Sequence, residues 1–182
     1  WWSFRLYEPH SQDGLLRDVY RGLYGLHWRQ GQADPNFSPT TGTDKKDEYL
    51  FVTGHYDHLG KRGNVIYYGA DDDGSGTVSV MQMAEAYAAA AKKGKGPRRS
   101  IVFMTVSGEE KGLWGSDYYS EHPIYPVEKT TADLNIDMVG RVDTERKTAD
   151  SLNYVYVIGH DKLSTDLPVI NEAANKESSN LT

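Results

Sequence analysis

Short apolar runs that end in polar residues recur along the chain from residue 49 onward. Their β-branched and aromatic residues predict four buried strands, at 49–54, at 99–108, within 130–140 and at 153–159. The intervening segment 74–93 is rich in Ala and Met at helical spacing and predicts a helix packed on the sheet. The residues predicted to face the sheet are Val80, Met83, Ala84, Tyr87 and Ala91.

A second helix is predicted at 164–177, near the end of the chain, with an amphipathic pattern. Its predicted inward residues are Leu167, Ile170 and Ala174. Strands that alternate with helices predict an α/β domain with a largely parallel sheet, whose ligands bind beyond the carboxyl ends of the strands. Residues 1–43 form an N-terminal segment of uncertain structure. Within it, segment 13–28 has apolar residues at roughly helical spacing but contains two glycines.

Composition narrows the function classes. A chain of 182 residues suits one domain, and a net charge of -6 with a pI near 5.5 argues against a nucleic-acid-binding surface. The absence of cysteine excludes disulfides and thiolate metal sites without fixing the compartment. No apolar run approaches the ~18 residues that a membrane span needs. Nothing in the pattern indicates an oligomeric state.

Acids and histidines gather where the predicted strands end. "GHYDHLG" (54–60) follows the first strand, and its His55 and Asp57 point the same way if the strand continues. A carboxylate in that place can orient a metal-binding histidine. A surface H-x-D motif without a metal explains the same residues, and short motifs are often false positives.

Two further segments follow strands in the same way. In "SGEEKG" (107–112), Glu109 and Glu110 diverge, so that one can bind a metal while the other exchanges a proton with the substrate. A charged turn is the alternative. In "NIDMVG" (135–140), Asp137 lies between apolar residues, where an acid is costly to bury unless it is paired or metal-bound. A helix-capping Asp is the alternative there.

The acidic triplet in "GADDDGSG" (69–76) needs compensating charge if it is held in a folded core. Nitrogen and oxygen donors without a thiol suit a catalytic zinc site, and two cations ~3.5–4 Å apart need a bridging carboxylate. One Asp can bridge while its neighbours shape the loop. Taken together, the four segments favour a binuclear metallohydrolase over four coincidences.

From about Asp44 to Asn175, these four segments, in this order and roughly this spacing, resemble the co-catalytic dizinc aminopeptidases of the bacterial leucyl aminopeptidase and aminopeptidase Y type. The resemblance implies a three-layer α/β/α catalytic domain over 44–182 with a mixed, largely parallel central sheet. It also implies a further His ligand near the end of the domain. Because no segment before Thr182 matches that ligand, we expect the domain to be incomplete and the chain truncated at its C-terminus.

The resemblance also implies roles for individual residues. His55 and Asp137 are expected to bind one zinc ion, Asp72 to bridge two zinc ions, and Glu110 to bind the other. A cis peptide bond is expected after the bridging Asp. His58 belongs to the first segment but matches no ligand position.

Two acids have expected catalytic roles. Glu109 is expected to act as the general base that takes a proton from a metal-bound water, and Asp57 to act as the acid behind the histidine ligand. The function implied is a zinc-dependent exopeptidase that hydrolyses the N-terminal residue from peptides with a free N-terminus. The same resemblance implies a secreted or periplasmic location.

Two other functions remain open from the sequence. A single-zinc glutaminyl cyclase uses a similar fold, and the ligands that match do not distinguish it from a dizinc peptidase. A non-catalytic binding module that lost its metals is the non-enzyme alternative. Metal content and reaction products separate the three.

Overall fold

The computed structural model describes residues 2–3, 40–147 and 152–182. The helical spacing at 13–28 and most of the segment 1–43 lie outside the described residues, so the predictions made for them stay predictions. The described residues form one five-stranded sheet and a separate two-stranded hairpin.

The five-stranded sheet has the order β5-β2-β6-β1-β7. Its strands are β1 (Trp2–Ser3), β2 (Lys45–His55), β5 (Arg99–Val106), β6 (Thr130–Ile136) and β7 (Val157–Ile158). β2 pairs in parallel with β5 and β6, β1 is antiparallel to β6, and β1 is parallel to β7. The predicted α/β class with a mixed, largely parallel central sheet is therefore confirmed.

The first helix, α1 (Gly74–Lys92), covers one face of the sheet, as its spacing predicts. Val80 is 2% exposed and packs with Val52, Ile101 and Ile136 to form the buried cluster of this face. Met83 packs at the edge of the cluster. Side chains alternate between the two faces along β2, so the residues next to Val52 point to the other face of the sheet. The same strand therefore contributes to two layers.

That opposite face carries aromatic residues from elements that the sequence pattern did not predict. Phe51 packs against Tyr119 of helix α2 (Trp114–Glu121) and against Tyr125, with ring centroids 5.5 and 6.4 Å apart. The hairpin of β3 (Gly60–Arg62) and β4 (Val65–Tyr67) was also not predicted. Its connection contains Gly63 at a φ of 60°, a conformation that favours glycine.

The last helix, α3 (Leu167–Ser178), forms near its predicted place but presents a different face. Ile170 is 60% exposed and Ala174 is also exposed, so the prediction that these two residues point inward is wrong. The helix instead turns a neighbouring face, which carries Asn171 and Asn175, toward the rest of the chain and makes polar contacts there. The Asn175 side chain exchanges two hydrogen bonds of 2.7 Å with the backbone of Leu181, and Asn171 lies 3.3 Å from the His160 ring.

Asp133 of β6 gives the fold a testable pH dependence. Burial raises its pKa from 3.8 to about 6, although it accepts a hydrogen bond of 2.9 Å from the Thr53 hydroxyl. Because the folded chain holds this proton more tightly than the unfolded chain does, the contribution of Asp133 to stability falls as the pH rises from about 4 to 6. Asp133→Asn should therefore raise the free energy of unfolding by about 1–3 kcal/mol at pH 8 and leave it unchanged below pH 4.

Urea unfolding at pH 4 and pH 8 checks this expectation. Asp47→Asn is the matched control, because Asp47 is exposed and should give the same small difference at both pH values. An Asp133→Asn variant whose stability differs from the parent equally at both pH values would show that the Asp133 charge is not the cause.

Candidate metal centre

All four polar segments meet at the carboxyl-terminal edge of the sheet. His55 is the last residue of β2, Asp137 follows β6, and Glu109 and Glu110 begin a short 3₁₀ turn after β5. Asp72 lies in the loop that leads into α1. The parallel pairing of β2 with β5 and β6 brings these strand ends to the same edge.

His55 forms the centre of the first cluster. Its side chain is 2% exposed, and its Nε2 lies 3.1 Å from an Asp72 oxygen, 3.9 Å from an Asp137 oxygen and 4.0 Å from a Glu109 oxygen. Within the described part of the chain, this Nε2 makes no hydrogen bond. A buried nitrogen without a hydrogen-bond partner, surrounded by carboxylates, has the arrangement that a metal ligand requires.

The other ring nitrogen fixes the tautomer of His55. Nδ1 lies 2.9 Å from the backbone carbonyl oxygen of Asp57, which can only accept, so we assign the ring proton to Nδ1. Nε2 then presents a lone pair to the carboxylates. The Asp57 carboxylate is 3.5 Å from Nδ1 and also accepts backbone N–H bonds from Glu109 at 3.1 Å and Glu110 at 3.3 Å. Asp57 therefore connects the histidine to the turn that carries both glutamates.

The acidic triplet divides its roles among its three members. Asp71 accepts a hydrogen bond of 2.8 Å from the Gly140 N–H and one of 3.1 Å from the Ser75 hydroxyl, so it holds the loop after β6. Asp72 is the member that faces the histidines. The peptide bond between Asp72 and Asp73 is cis, as expected.

Asp73 is 1% exposed and joins three elements of the site. It accepts backbone N–H bonds from His55 at 3.1 Å, Gly76 at 2.9 Å and Met138 at 3.3 Å. A Cβ at Gly76 would lie 2.3 Å from an Asp73 oxygen, so the glycine is required by this close approach. Asp73 lies near enough to His55 and Asp137 to form a metal group with them, but its oxygens are already occupied by these amides.

A second cluster contains His58, which follows His55 by three residues and matches no ligand position of the family resemblance. His58 Nδ1 lies 2.6 Å from a Glu110 oxygen and 3.8 Å from the Asp72 oxygen that also faces the first cluster. Because His58 follows the end of β2, strand alternation could not predict its direction.

The acids of the site are partly buried and lie close together, and the pKa values of several of them are raised. Burial raises the pKa of Glu109, His55 opposes this shift, and the neighbouring carboxylates add to it. Burial and nearby acids also raise the pKa of Asp137, and they raise that of Asp73 to about 7. Burial lowers the pKa of His55, but the surrounding carboxylates outweigh it, and the net shift is upward. The neighbouring carboxylates contribute to each of these shifts, and a divalent cation would neutralise their charge.

The residues present fit zinc. The two groups whose donor atoms converge are His55 with Asp73 and Asp137, and His58 with Asp72 and Glu110. Imidazole nitrogens and carboxylate oxygens are the donors of catalytic zinc sites. The buried Nε2 of His55, without a hydrogen-bond partner among the described residues, is the atom that such an ion would satisfy.

Comparison with known proteins gives a consistent family. Residues 37–180 match the model of "Peptidase family M28". The chain is 34% identical over 113 residues to a vacuolar membrane protease of Colletotrichum graminicola, which covers 62% of this chain and 9% of the relative. It is 33% identical over 115 residues to a probable zinc metalloprotease of Pyrenophora tritici-repentis, which covers 60% and 22%. It is 35% identical over 139 residues to a vacuolar membrane protease of Paracoccidioides brasiliensis, which covers 72% and 13%. No solved structure matches significantly.

The chain thus spans between about a tenth and a quarter of the length of these relatives. The names of the relatives also correct one expectation. A secreted or periplasmic location is contradicted, because several matched relatives are vacuolar membrane proteases. Across residues 2–3, 40–147 and 152–182, no helix is both long and apolar enough to cross a bilayer.

Proposed function

The chain belongs to peptidase family M28, and on that premise we propose that it removes the N-terminal residue from peptides with a free N-terminus, using two zinc ions. One observation carries the proposal. The buried Nε2 of His55 and the acids from three other segments converge at one edge of the sheet. Zinc metalloproteases among the matched relatives support the choice of metal.

Residues of this chain would hold the ions as follows. His55, Asp72 and Asp137 would hold one ion, and Asp72 with Glu110 would hold the other. Bound zinc supplies Lewis acidity, which polarises the substrate carbonyl group. Asp72 belongs to both sets, so it would contribute to holding both ions.

Glu109 would move the protons of the reaction. Its side chain is 35% exposed and one oxygen lies 4.0 Å from the ligand nitrogen of His55, so it reaches both solvent and the metal centre. Its raised pKa makes it a stronger base than an ordinary glutamate. Glu109 accepts a proton from the attacking water and later donates a proton to the departing amine. Asp57 fixes Glu109 by accepting its backbone N–H.

A groove beside the centre offers room for a substrate side chain. It has a volume of about 360 Å³, and its lining includes His58, Tyr56, Tyr67 and Tyr68. Tyr68 is 84% exposed, so it contributes little to the packed core. The aromatic walls favour a flat or apolar side chain of the peptide.

Tyr68→Ala should therefore raise the KM for peptides with an aromatic residue about 5- to 10-fold, because one stacking partner is lost. The value of kcat should stay unchanged, because Tyr68 does not belong to the metal centre. Tyr68→Phe keeps the ring and should behave as the parent. Steady-state kinetics on a peptide series checks this, and an equal rise in KM for Tyr68→Phe would contradict stacking.

The proposed function itself is tested with one matched pair of substrates. The zinc-loaded chain should release leucine from a leucyl peptide and should not hydrolyse the same peptide with an acetylated N-terminus. Hydrolysis of both peptides would indicate an endopeptidase. Release of ammonia from an N-terminal glutamine, without amino-acid release, would indicate a cyclase.

A further inference from the structure

We infer that Arg62, on the hairpin beside the metal centre, binds a carboxylate at the third residue of the peptide substrate. The carboxylate is the free C-terminus of a tripeptide or an acidic side chain at that residue. Arg62 would thus determine which short peptides the chain prefers. This inference rests on the proposed function, because it takes the metal centre as the place where the scissile carbonyl group lies.

The hairpin of β3 and β4 has one face toward the groove that adjoins the metal centre. Gly60 and Tyr67 are paired across the hairpin, and both line the groove. Because side chains alternate along a strand, Arg62 lies on this same face and Lys61 lies on the other. The Arg62 guanidinium carbon is 5.9 Å from the centroid of the Tyr67 ring, in agreement with that placement. The hairpin therefore presents one of its two cations on the side of the groove.

The distance between the metal centre and Arg62 suits a short peptide. His58 marks the edge of the centre, because its Nδ1 lies 3.8 Å from an Asp72 oxygen. The Tyr67 ring lies 6.5 Å from the His58 ring and 5.9 Å from the Arg62 guanidinium carbon, which limits the distance from Arg62 to the His58 ring to about 12 Å. Two extended residues past the scissile carbonyl span about 7 Å, and an ion pair spans about 4 Å more. The carboxylate of the third residue therefore comes within reach of Arg62.

Charge favours the same direction of the bound peptide. The side chains that converge at the centre are carboxylates and histidines, so they repel a carboxylate of the peptide. Arg62 is exposed, and the arginine ion pairs within residues 40–147 and 152–182 are those of Arg98 and Arg99. Its planar guanidinium group can therefore pair with a carboxylate through two parallel hydrogen bonds. A peptide with its amino end at the centre and a carboxylate at the hairpin matches both charges.

Steady-state kinetics of the zinc-loaded chain tests the inference with peptides that differ in their carboxylates. Leu-Gly-Gly should have a KM about 3- to 10-fold lower than its C-terminal amide, with kcat unchanged, because an ion pair that adds only to binding lowers KM. The amide of Leu-Gly-Glu identifies the source of the carboxylate. A KM as low as that of Leu-Gly-Gly supports binding of any carboxylate at the third residue, and a KM as high as that of the amide supports binding of the C-terminus alone. A glycine-extended peptide of about seven residues should have the same KM as its amide, because its terminus lies beyond Arg62.

Three variants make the test specific to Arg62. Arg62→Ala should remove the difference in KM between Leu-Gly-Gly and its amide, and Arg62→Lys should keep part of it, because lysine retains the charge without the planar pair of donors. Lys61→Ala is the matched control, since it removes the same charge from the other face of the hairpin and should keep the full difference. Equal KM values for the two peptides in the parent would overturn the inference. An equal loss of the difference in Lys61→Ala would also overturn it, because the effect would then come from net charge.

The proposed function can fail separately from this inference, because binding can be measured without turnover. Calorimetric titration of zinc-loaded Glu109→Gln with Leu-Gly-Gly and its amide gives the two Kd values, with and without the Arg62→Ala change. If the free tripeptide binds more tightly only when Arg62 is present, but the parent releases no leucine, the role of Arg62 is supported and the aminopeptidase is contradicted. If the parent releases leucine from both peptides with one KM, the aminopeptidase is supported and the role of Arg62 is contradicted.

Discussion

Replacing Glu109 with glutamine is expected to lower kcat for leucyl-peptide hydrolysis by about 10²- to 10⁴-fold, the usual contribution of a general acid–base residue. Glutamine has nearly the same shape but cannot accept the proton. Zinc content should stay at the parent level, because the Asp72 oxygen lies nearer to His55 Nε2 than the Glu109 oxygen does, at 3.1 against 4.0 Å. The measurement is kcat together with zinc per chain on the same preparation.

The control for this variant is Glu121→Gln, an exposed glutamate at the end of α2, which should leave both quantities unchanged. Two results would contradict the assignment. A Glu109→Gln variant that keeps more than a tenth of the parent kcat would show that another group carries the proton. A variant that loses zinc would show that Glu109 is a ligand and not the base.

Strands β2 and β5 could be predicted from the sequence because each contains a short apolar run that the fold buries. The two strands lie side by side and supply Val52 and Ile101 to the core. α1 was equally predictable, because one helical face carries the residues that meet them. Local pattern and tertiary burial agree in these elements.

The edge of the fold was less predictable because its aromatic residues serve other contacts. The run at 153–159 predicts a strand, but β7 contains two residues. The central carbon of the Arg146 guanidinium lies 4.1 Å from the centroid of the Tyr154 ring, and the Tyr156 hydroxyl donates a hydrogen bond to Asp143. The sequence does not distinguish a tyrosine that packs on a cation from one that packs in a sheet.

The metal centre shows a similar limit. The four polar segments could be identified from the sequence, because acids that follow an apolar run are visible there. The separate roles of Asp71, Asp72 and Asp73 could not be predicted from the sequence, because they depend on backbone N–H groups that other segments contribute. Asp73 meets N–H groups of His55, Gly76 and Met138, which lie between 3 and 65 positions away.

Because Asp73 accepts these three hydrogen bonds, we expect Asp73→Ala to lower the free energy of unfolding of the metal-free chain by about 3 kcal/mol. The change removes the acceptor of three buried N–H groups, and each hydrogen bond to a charged group contributes about 1.5–3 kcal/mol. Removing a buried acid whose pKa is raised to about 7 offsets part of this loss. Urea unfolding in the presence of a chelator separates this effect from that of metal binding.

Two variants make the test of Asp73 specific. Asp47→Ala removes an exposed acid and should change stability by less than about 0.5 kcal/mol. Asp73→Asn keeps one acceptor oxygen but places an NH₂ group against a backbone N–H, so we expect a loss between those of the other two variants. If Asp73→Ala unfolds like the parent without metal but binds fewer zinc ions, Asp73 is a ligand. The pairing of His55 with Asp73 and Asp137 would then describe the first metal site better than the pairing with Asp72.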